Sequence, residues 1–211
     1  MSPRRAKAVR GRVGDDPAVA LRDHLIDTAE RLLAERPVTG ITTRELARAA
    51  EVSDGVLYNY FADKNELLLA ALVRRYGRML SEFLSELPEP GQGTVAANLT
   101  RFATRALDLI GQALPAATGL LHEPALLHGF MAAIHTHPFG PHQVQGPIIE
   151  YVRAEQRLGR IGPVIPETVF ALLFGATMTV AFSTLVGGRN ADDAMSDLPA
   201  IVETMVRGLT A

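Results

Sequence analysis

Hydrophobic residues recur every three or four positions along most of the chain, which is the spacing of one face of an α-helix. Leu25, Ala29 and Leu32 show this period, and no stretch alternates between polar and apolar residues as a half-buried strand does. Proline and glycine separate the periodic stretches. The pattern predicts an all-α protein with helices over residues 17–36, 43–50, 53–60, 64–87, 94–112, 116–122, 124–136, 147–158, 166–186 and 194–209.

Capping signals mark the starts of the early helices. A Thr or Asp followed three residues later by Glu is the pattern of a capping box, and it occurs at Thr42–Glu45 and at Asp63–Glu66. Ser53 lies between them and can cap a short helix of its own. The two short helices enclosed by these signals have the dimensions of a helix-turn-helix.

The segment VSDGVLYNYFADKNELL, Val52–Leu68, brings two tyrosines and a lysine close together. Its apolar residues can fill a small core, which leaves the polar ones outside, where they are either simply solvated or bind a partner. Tyrosine hydroxyls can donate to DNA phosphates, and a helix start attracts a phosphate. The predicted double-stranded DNA contacts are Thr42, Thr43, Arg44, Ser53, Asp54, Gly55, Val56, Tyr58, Asn59, Tyr60 and Lys64.

Charge is unevenly distributed along the chain. Residues 1–78 carry 14 Lys and Arg against 11 Asp and Glu, whereas residues 79–211 carry 7 against 12. Residues 1–14 contain five basic residues and no acid, and no apolar segment follows them as in a secretory signal. A basic front and an acidic back indicate that the front meets the polyanion.

The stretch ITTRELARAAEVSDGVLYNYFADKNELLLAAL, Ile41–Leu72, resembles the DNA-binding region of tetracycline-repressor (TetR) family regulators. The similarity extends back through LIDTAERLLAE, Leu25–Glu35. The resemblance implies an all-α homodimer with a C-terminal ligand-binding region, usually a repressor released from a near-palindromic operator by a small molecule. We expect a basic arm over residues 1–16, a helix-turn-helix domain over 17–63 and a ligand-binding and dimerisation domain over 64–211, in the cytoplasm.

The resemblance also assigns roles within the DNA-binding set. The positions that match phosphate contacts are Thr43, Arg44, Tyr58, Tyr60 and Lys64, and those that match base-facing places are Asp54, Gly55, Val56 and Asn59. Asp54 departs from the family, since many relatives have a basic or neutral polar residue there. Its contact is therefore not carried over.

An apolar region rich in histidine follows in the second half of the chain. From Leu109 to Ile149 the only Asp, Glu, Lys or Arg is Glu123, and five of the six histidines lie in this stretch. One interpretation is a buried core with histidines at its rim; the other is a cavity for a largely apolar effector. The predicted pocket residues are Phe102, His122, Glu123, Leu126, His128, Phe130, Met131, Ile134, Phe174 and Met178.

A metal site or an enzyme is the alternative function. His135, His137 and His142 offer three imidazoles, but two histidines two residues apart point in different directions on a helix. Cysteine is absent, and there is no phosphate-binding glycine loop, no HExxH and no nucleophile motif. We therefore expect no enzyme activity, no metal and no cofactor.

The helix predicted over residues 166–186 contains no charged residue after Glu167. It is long enough to span a membrane, but five Ser and Thr residues interrupt it and no basic cluster flanks it. A helix buried inside one subunit or across a subunit interface fits better. The predicted dimer-interface residues are Ile148, Val152, Phe170, Phe174, Thr177, Ala181 and Leu185.

Overall fold

The computed structural model describes residues 17–136, 142–187 and 191–209, without the side chains of residues 114–118, 142, 185, 191, 192 and 194. Within these ranges the chain is helical and contains no strand, which confirms the all-α prediction. The helices are α1 (Pro17–Glu35), α2 (Thr43–Ala49), α3 (Asp54–Tyr58), α4 (Lys64–Leu84), α5 (Val95–Leu120), α6 (Pro124–Thr136), α7 (His142–Arg157), α8 (Pro166–Leu185) and α9 (Ala191–Leu209), with a 3-10 turn over Val38–Gly40.

Three prolines lie inside helices where the sequence pattern predicted breaks or later starts. α5 continues through residue 115, α7 begins five residues before Pro147, and α9 includes Pro199. A proline inside a helix removes one backbone hydrogen bond and costs about 3 kcal/mol. Burial of the apolar face that follows, as at Ile148 and Val152 on α7, can offset this cost.

The first of two compact units contains the residues up to Tyr76 together with Pro115–Ala133. Its buried residues form one cluster, the N-terminal core, which includes Leu25, Leu46, Leu57, Phe61, Leu68, Leu120 and Leu126. A Cβ at Gly129 would lie 3.3 Å from Leu69 Cδ2, so α6 approaches α4 closely. The helix-turn-helix therefore shares its core with the first half of α4 and with α6, beyond the boundary at residue 63 that the sequence predicted.

An ion-pair network joins α1 to α4 within this unit. The Arg74 guanidinium contacts the carboxylates of Asp27 and Glu30, with Nε 2.6 Å from Glu30 Oε1, and approaches Asp23 at 4.0 Å. Glu30 is nearly buried, whereas the two aspartates are exposed. Only the Glu30 contact is shielded from water, and exposed pairs contribute little to stability.

The second compact unit contains Gly77–Leu114 and Ile134–Ala211. Here α7 packs on α8, and α8 packs on α9. Phe102 and Tyr151 are buried and meet edge to face with ring centroids 5.3 Å apart. Over Pro166–Thr184, α8 is long and apolar enough to cross a membrane, by length and composition only. Its packing between α7 and α9 is that of a core helix.

A buried polar network fixes the loop between α4 and α5. Glu155 on α7 is fully buried; its Oε1 accepts from the Gly91 amide at 3.0 Å, and its Oε2 lies 3.2 Å from Arg160 Nε. Arg160 donates to the Gly93 carbonyl at 2.5 Å, and Asn98 donates to the Gln92 carbonyl at 2.8 Å. Three consecutive loop residues are thus each held by a different side chain.

Tyr151 extends this network toward α5. Its hydroxyl accepts a hydrogen bond from Asn98 Nδ2 at 3.0 Å. Burial, followed by the nearby Glu155 carboxylate, raises the pKa of Tyr151 well above its ordinary value. The phenol therefore stays protonated and can act only as a neutral hydrogen-bonding group in this interior.

Candidate nucleic-acid interface

The N-terminus of α2 is capped as the sequence predicted. The Thr42 hydroxyl accepts from the Glu45 amide at 3.3 Å, and Glu45 Oε2 accepts from the Thr42 amide at 2.9 Å. The backbone hydrogen bond from Thr42 holds the pKa of Glu45 below its usual range, and Arg36 pairs with the same carboxylate at 2.8 Å. Both capping residues already have local partners, while Thr43 is half-buried and Arg44 is exposed.

The start of α4 is capped by Asp63. Its Oδ1 accepts from the Glu66 amide at 2.8 Å, as predicted, but Glu66 Oε2 accepts from the Ala62 amide at 2.5 Å and not from that of Asp63. Lys64 is the first residue of α4 and is half-buried. Its charge therefore lies directly after the segment that carries α3.

Ser53 occupies the N-cap position of α3 but its side chain makes no capping hydrogen bond, so this prediction was wrong. Its backbone carbonyl instead accepts from the amides of Val56 and Leu57, at 3.0 and 3.4 Å. A helix of five residues needs few amides satisfied, and the turn does this with backbone groups alone. The Ser53 hydroxyl remains on an exposed residue.

α3 presents an exposed face opposite a buried one. Leu57 is fully buried in the N-terminal core, whereas Asp54, Gly55, Tyr58 and Asn59 are exposed. A Cβ added at Gly55 would meet only Ser53 Oγ, at 3.9 Å, so the surface above this glycine is open. The four exposed residues define what we call the α3 face, and Tyr58 is 53% exposed on it.

Tyr60 differs from Tyr58, although the sequence predicted both to be exposed. The helix ends at Tyr58, and the next amides bond carbonyls three residues back, Asn59 to Val56 and Tyr60 to Leu57. This tighter turn precedes the buried Phe61, and Tyr60 is half-buried against the N-terminal core. Its ring therefore contributes to packing, and only part of it faces outward. Val56 is also half-buried.

Three side chains of α1 position the helix-turn-helix, and the sequence pattern did not single them out. A ring nitrogen of His24 lies 3.1 Å from the Ala50 carbonyl, and Arg31 donates to the Ala49 carbonyl at 3.4 Å. Arg22 lies over the Phe61 ring, 5.1 Å from its centroid. The first two groups satisfy carbonyls at the C-terminal end of α2, which would otherwise lack partners. Only the fold brings these distant positions together.

Comparison with known proteins places this geometry in a family. Residues 25–71 match the family model of bacterial regulatory proteins, tetR family. The N-terminal region belongs to the TetR family. The HTH-type transcriptional repressor NemR of Escherichia coli K12 is 33% identical over 87 residues, which are 41% of this chain and 43% of NemR. The chain therefore matches less than half the length of this TetR-family relative.

Solved structures extend the likeness to the whole fold. A candidate TetR-family transcriptional regulator from Mesorhizobium loti superposes with a TM-score of 0.69 at 15% identity, covering 92% of this chain and 98% of that one. The transcriptional regulator FadR from Bacillus subtilis, in complex with stearoyl-CoA, gives a TM-score of 0.59 at 15% identity, covering 89% and 98%. At these identities the comparison establishes a TetR-like fold.

The predicted pocket residues on α6 and the turn before it have other surroundings. Leu126 belongs to the N-terminal core, and Phe130 packs against that core with its ring edge-on to Tyr76 at 6.0 Å. His122, His128 and Met131 are exposed, and Glu123 is half-buried. The apolar side of α6 is thus used to complete the core of the first unit, and the two histidines do not enclose a ligand there.

In the second unit the remaining predicted pocket residues are placed separately. Phe102 and Ile134 are buried, Met178 is half-buried, and Phe174 is 43% exposed. A cleft of about 190 Å³ lies in this unit between α4 and α5. It is lined by Met79, Glu82, Phe83, Arg105, Asp108, Leu109 and Gln112, none of which was predicted as a pocket residue.

The predicted dimer stripe on α7 and α8 proves to be mostly interior. Ile148, Val152, Thr177 and Ala181 are buried within one subunit, and the Thr177 hydroxyl donates to the Leu173 carbonyl at 2.8 Å. Phe170 is half-buried and stacks on Phe174, and the Leu185 side chain lies outside the described residues. The four buried residues are therefore not available to a second subunit.

A different face of α8 is exposed and apolar. Leu172, Phe182 and Val186 are 54%, 60% and 62% exposed, and they follow one another at helical spacing. On α9, Met195 and Ile201 are exposed as well. The sequence could not select this face because α8 is apolar on all sides.

The histidines proposed as an alternative metal site are only partly described. His135 is exposed near the end of α6, whereas His137 and the His142 side chain lie outside the described residues. Within the described part of the chain, no group of three His, Asp or Glu side chains is placed to hold a metal ion.

Proposed function

We propose that this protein is a cytoplasmic, sequence-specific DNA-binding transcriptional regulator, a repressor that a small molecule releases from its operator. The α3 face carries this proposal, because four adjacent exposed residues, one of them a glycine with open space above it, are held by a buried core. The match of residues 25–71 to a family of bacterial regulatory proteins supports it.

The recognition chemistry follows from the side chains on and around the α3 face. α3 has the size and exposure to enter the major groove, where Gly55 allows the backbone to approach the bases. Tyr58 can donate to a phosphate or pack on a thymine methyl. We propose that Thr43, Arg44 and Lys64 bind phosphates on either side, and that Ser53 adds its uncapped hydroxyl.

Selection of bound sequences from random duplexes tests the function directly. We expect enrichment of a near-palindromic site, because one recognition helix reads only a few base pairs and a symmetric dimer presents two. Failure of the purified protein to enrich any sequence at moderate salt would contradict the proposal. A protein-interaction module would give that result.

Lys64→Ala should weaken binding to all duplexes by a similar factor. Lys64 is proposed to contact phosphate only, so its loss removes charge neutralisation without changing base recognition. The slope of log affinity against log salt should become shallower by about 0.9. Titrations at several salt concentrations with the operator and with a scrambled duplex measure both effects.

Arg157→Ala is the matched control for Lys64, since it also removes one exposed positive charge, but from α7. It should leave both the affinity and the salt slope unchanged. Loss of discrimination between operator and scrambled duplex in Lys64→Ala would instead assign Lys64 to base reading.

We propose a largely apolar effector. The low charge of Leu109–Ile149 favours such a ligand, and the similarly folded FadR was solved with stearoyl-CoA. The core positions of Leu126 and Phe130 argue against α6 as the pocket wall. Release of labelled operator by apolar compounds and by charged metabolites tests the class, and release by the charged ones alone would overturn it. A metal-responsive regulator or a metal-dependent enzyme is not favoured, because the matched relatives are named as transcriptional regulators.

A further inference from the structure

The acidic residues of the first unit separate into those with a partner and those without one. Glu45, Asp63 and Glu66 cap helices, and Asp27 and Glu30 pair with Arg74. Within the described chain, no hydrogen bond or ion pair is recorded for the carboxylates of three exposed residues. These are Glu35, Glu51 and Asp54.

Asp54 is the member of this group that lies on the α3 face. It is the first residue of α3 and shares that face with Tyr58, one turn later, and with Gly55 beside it. Capping of α2 and α4 is carried by other residues, so this carboxylate has no recorded role in the fold. A structural explanation for an acid at this position is therefore missing.

A carboxylate on a DNA-reading surface has an energetic cost. It is repelled by the phosphates of both strands and releases no counterions on binding. The cost is offset when the carboxylate accepts a hydrogen bond from a base edge in the groove. An acid that binds no partner within the protein and faces the duplex should therefore have a base partner.

We infer that Asp54 is a specificity-determining residue that reads the N4 amino group of a cytosine in each operator half-site. This inference rests on the proposed function, because it requires α3 to enter the major groove. The open surface at Gly55 lets the start of α3 come close to the base edges.

The other bases fit a carboxylate less well. Guanine presents two acceptors in the major groove and thymine presents an acceptor and a methyl group, and all of these are unfavourable beside a carboxylate. Adenine offers one amino donor, but its N7 acceptor lies next to it. Cytosine presents its amino donor without an adjacent major-groove acceptor of its own.

The test compares wild type with Asp54→Asn, which keeps the side-chain shape and removes the charge. Both proteins undergo sequence selection, and their affinities are then measured for the selected site and for the site with its cytosine pair replaced by a thymine pair. For wild type we expect this replacement to weaken binding by about ten-fold. For Asp54→Asn we expect a loss below about two-fold, because an amide can also donate to thymine O4.

Glu51→Gln is the matched control, because it removes an equally exposed charge three residues earlier, in the turn between α2 and α3. Asp54→Asn should also bind random duplex more tightly, since a phosphate-repelling charge is gone. Glu51→Gln should keep the wild-type preference for cytosine. Equal melting temperatures of the three proteins show that folding is unchanged.

Two results overturn the inference while leaving the proposed function intact. One is a wild-type site that Asp54→Asn selects unchanged, which places Asp54 in solvent. The other is an equal loss of preference in Glu51→Gln, which assigns the effect to general electrostatics. If wild type selects no sequence, both the inference and the proposed function are wrong.

Discussion

Glu155→Ala should lower the free energy of unfolding by about 3 kcal/mol, the lower end of the cost of breaking a buried ion pair. Glu155 is fully buried, and its removal leaves the Gly91 amide and the Arg160 guanidinium without their carboxylate partner. We take the lower end because the Arg160 side chain is 27% exposed and can recover some hydration. Urea unfolding followed by circular dichroism measures the loss.

Glu150→Ala provides the matched control on the same helix. Glu150 is exposed and pairs with Arg153 at 2.7 Å, so its loss should cost less than about 1 kcal/mol. Equal losses for the two variants would mean that burial of Glu155 has no energetic importance.

A double variant separates charge from shape at the same site. Glu155→Leu with Arg160→Met removes both charges and keeps most of the side-chain volume, and such replacements are often neutral. We expect it to recover most of the stability lost in Glu155→Ala, apart from the hydrogen bonds to Gly91 and Gly93. If the double variant is as unstable as Glu155→Ala, the backbone contacts to the loop dominate.

Local signals explain how much of the helix-turn-helix was predictable. The capping box of Thr42 and Glu45 acts across three residues, and the buried position of Leu57 follows from helical period. The hydroxyl of Ser53 and the ring of Tyr60 were placed wrongly. Both depend on how a five-residue helix begins and ends, which propensity and spacing do not determine.

Long-range contacts explain what the sequence could not show. Glu155 and Gly91 are 64 positions apart, and Arg74 lies 47 positions from Asp27, yet each pair is in contact. Similarly, α6 is apolar enough for either a core or a cavity wall, and only its packing against Leu69 shows that it serves the core. Hydrophobicity identifies such a helix without identifying its neighbours.

The same ambiguity affects α8, where it reversed the predicted interface. Apolar residues surround this helix, so periodicity selects no face. The fold buries Thr177 and Ala181 and leaves Leu172, Phe182 and Val186 exposed. Exposed apolar patches of this kind mark association sites in soluble proteins. We therefore propose that the subunits associate through this face of α8.

Phe182→Asp should convert the dimer into monomers and reduce operator affinity by roughly a thousand-fold, the lower bound of the gap between specific and non-specific binding. Phe182 is 60% exposed in one subunit. In a two-fold symmetric interface one substitution introduces two charges, which would be desolvated on association. Light scattering after gel filtration gives the oligomeric state, and titration with the full operator gives the affinity.

Leu121→Asp is the control for Phe182→Asp, because Leu121 is 67% exposed in the turn before α6 and is not part of the α8 face. It should stay dimeric and bind the operator normally. A duplex with a single half-site gives a second comparison: Phe182→Asp should bind it as wild type does, because the α3 face is unchanged in each monomer. A dimeric Phe182→Asp protein with full operator affinity would mean that the subunits meet elsewhere, and monomeric Leu121→Asp would direct the search to α6.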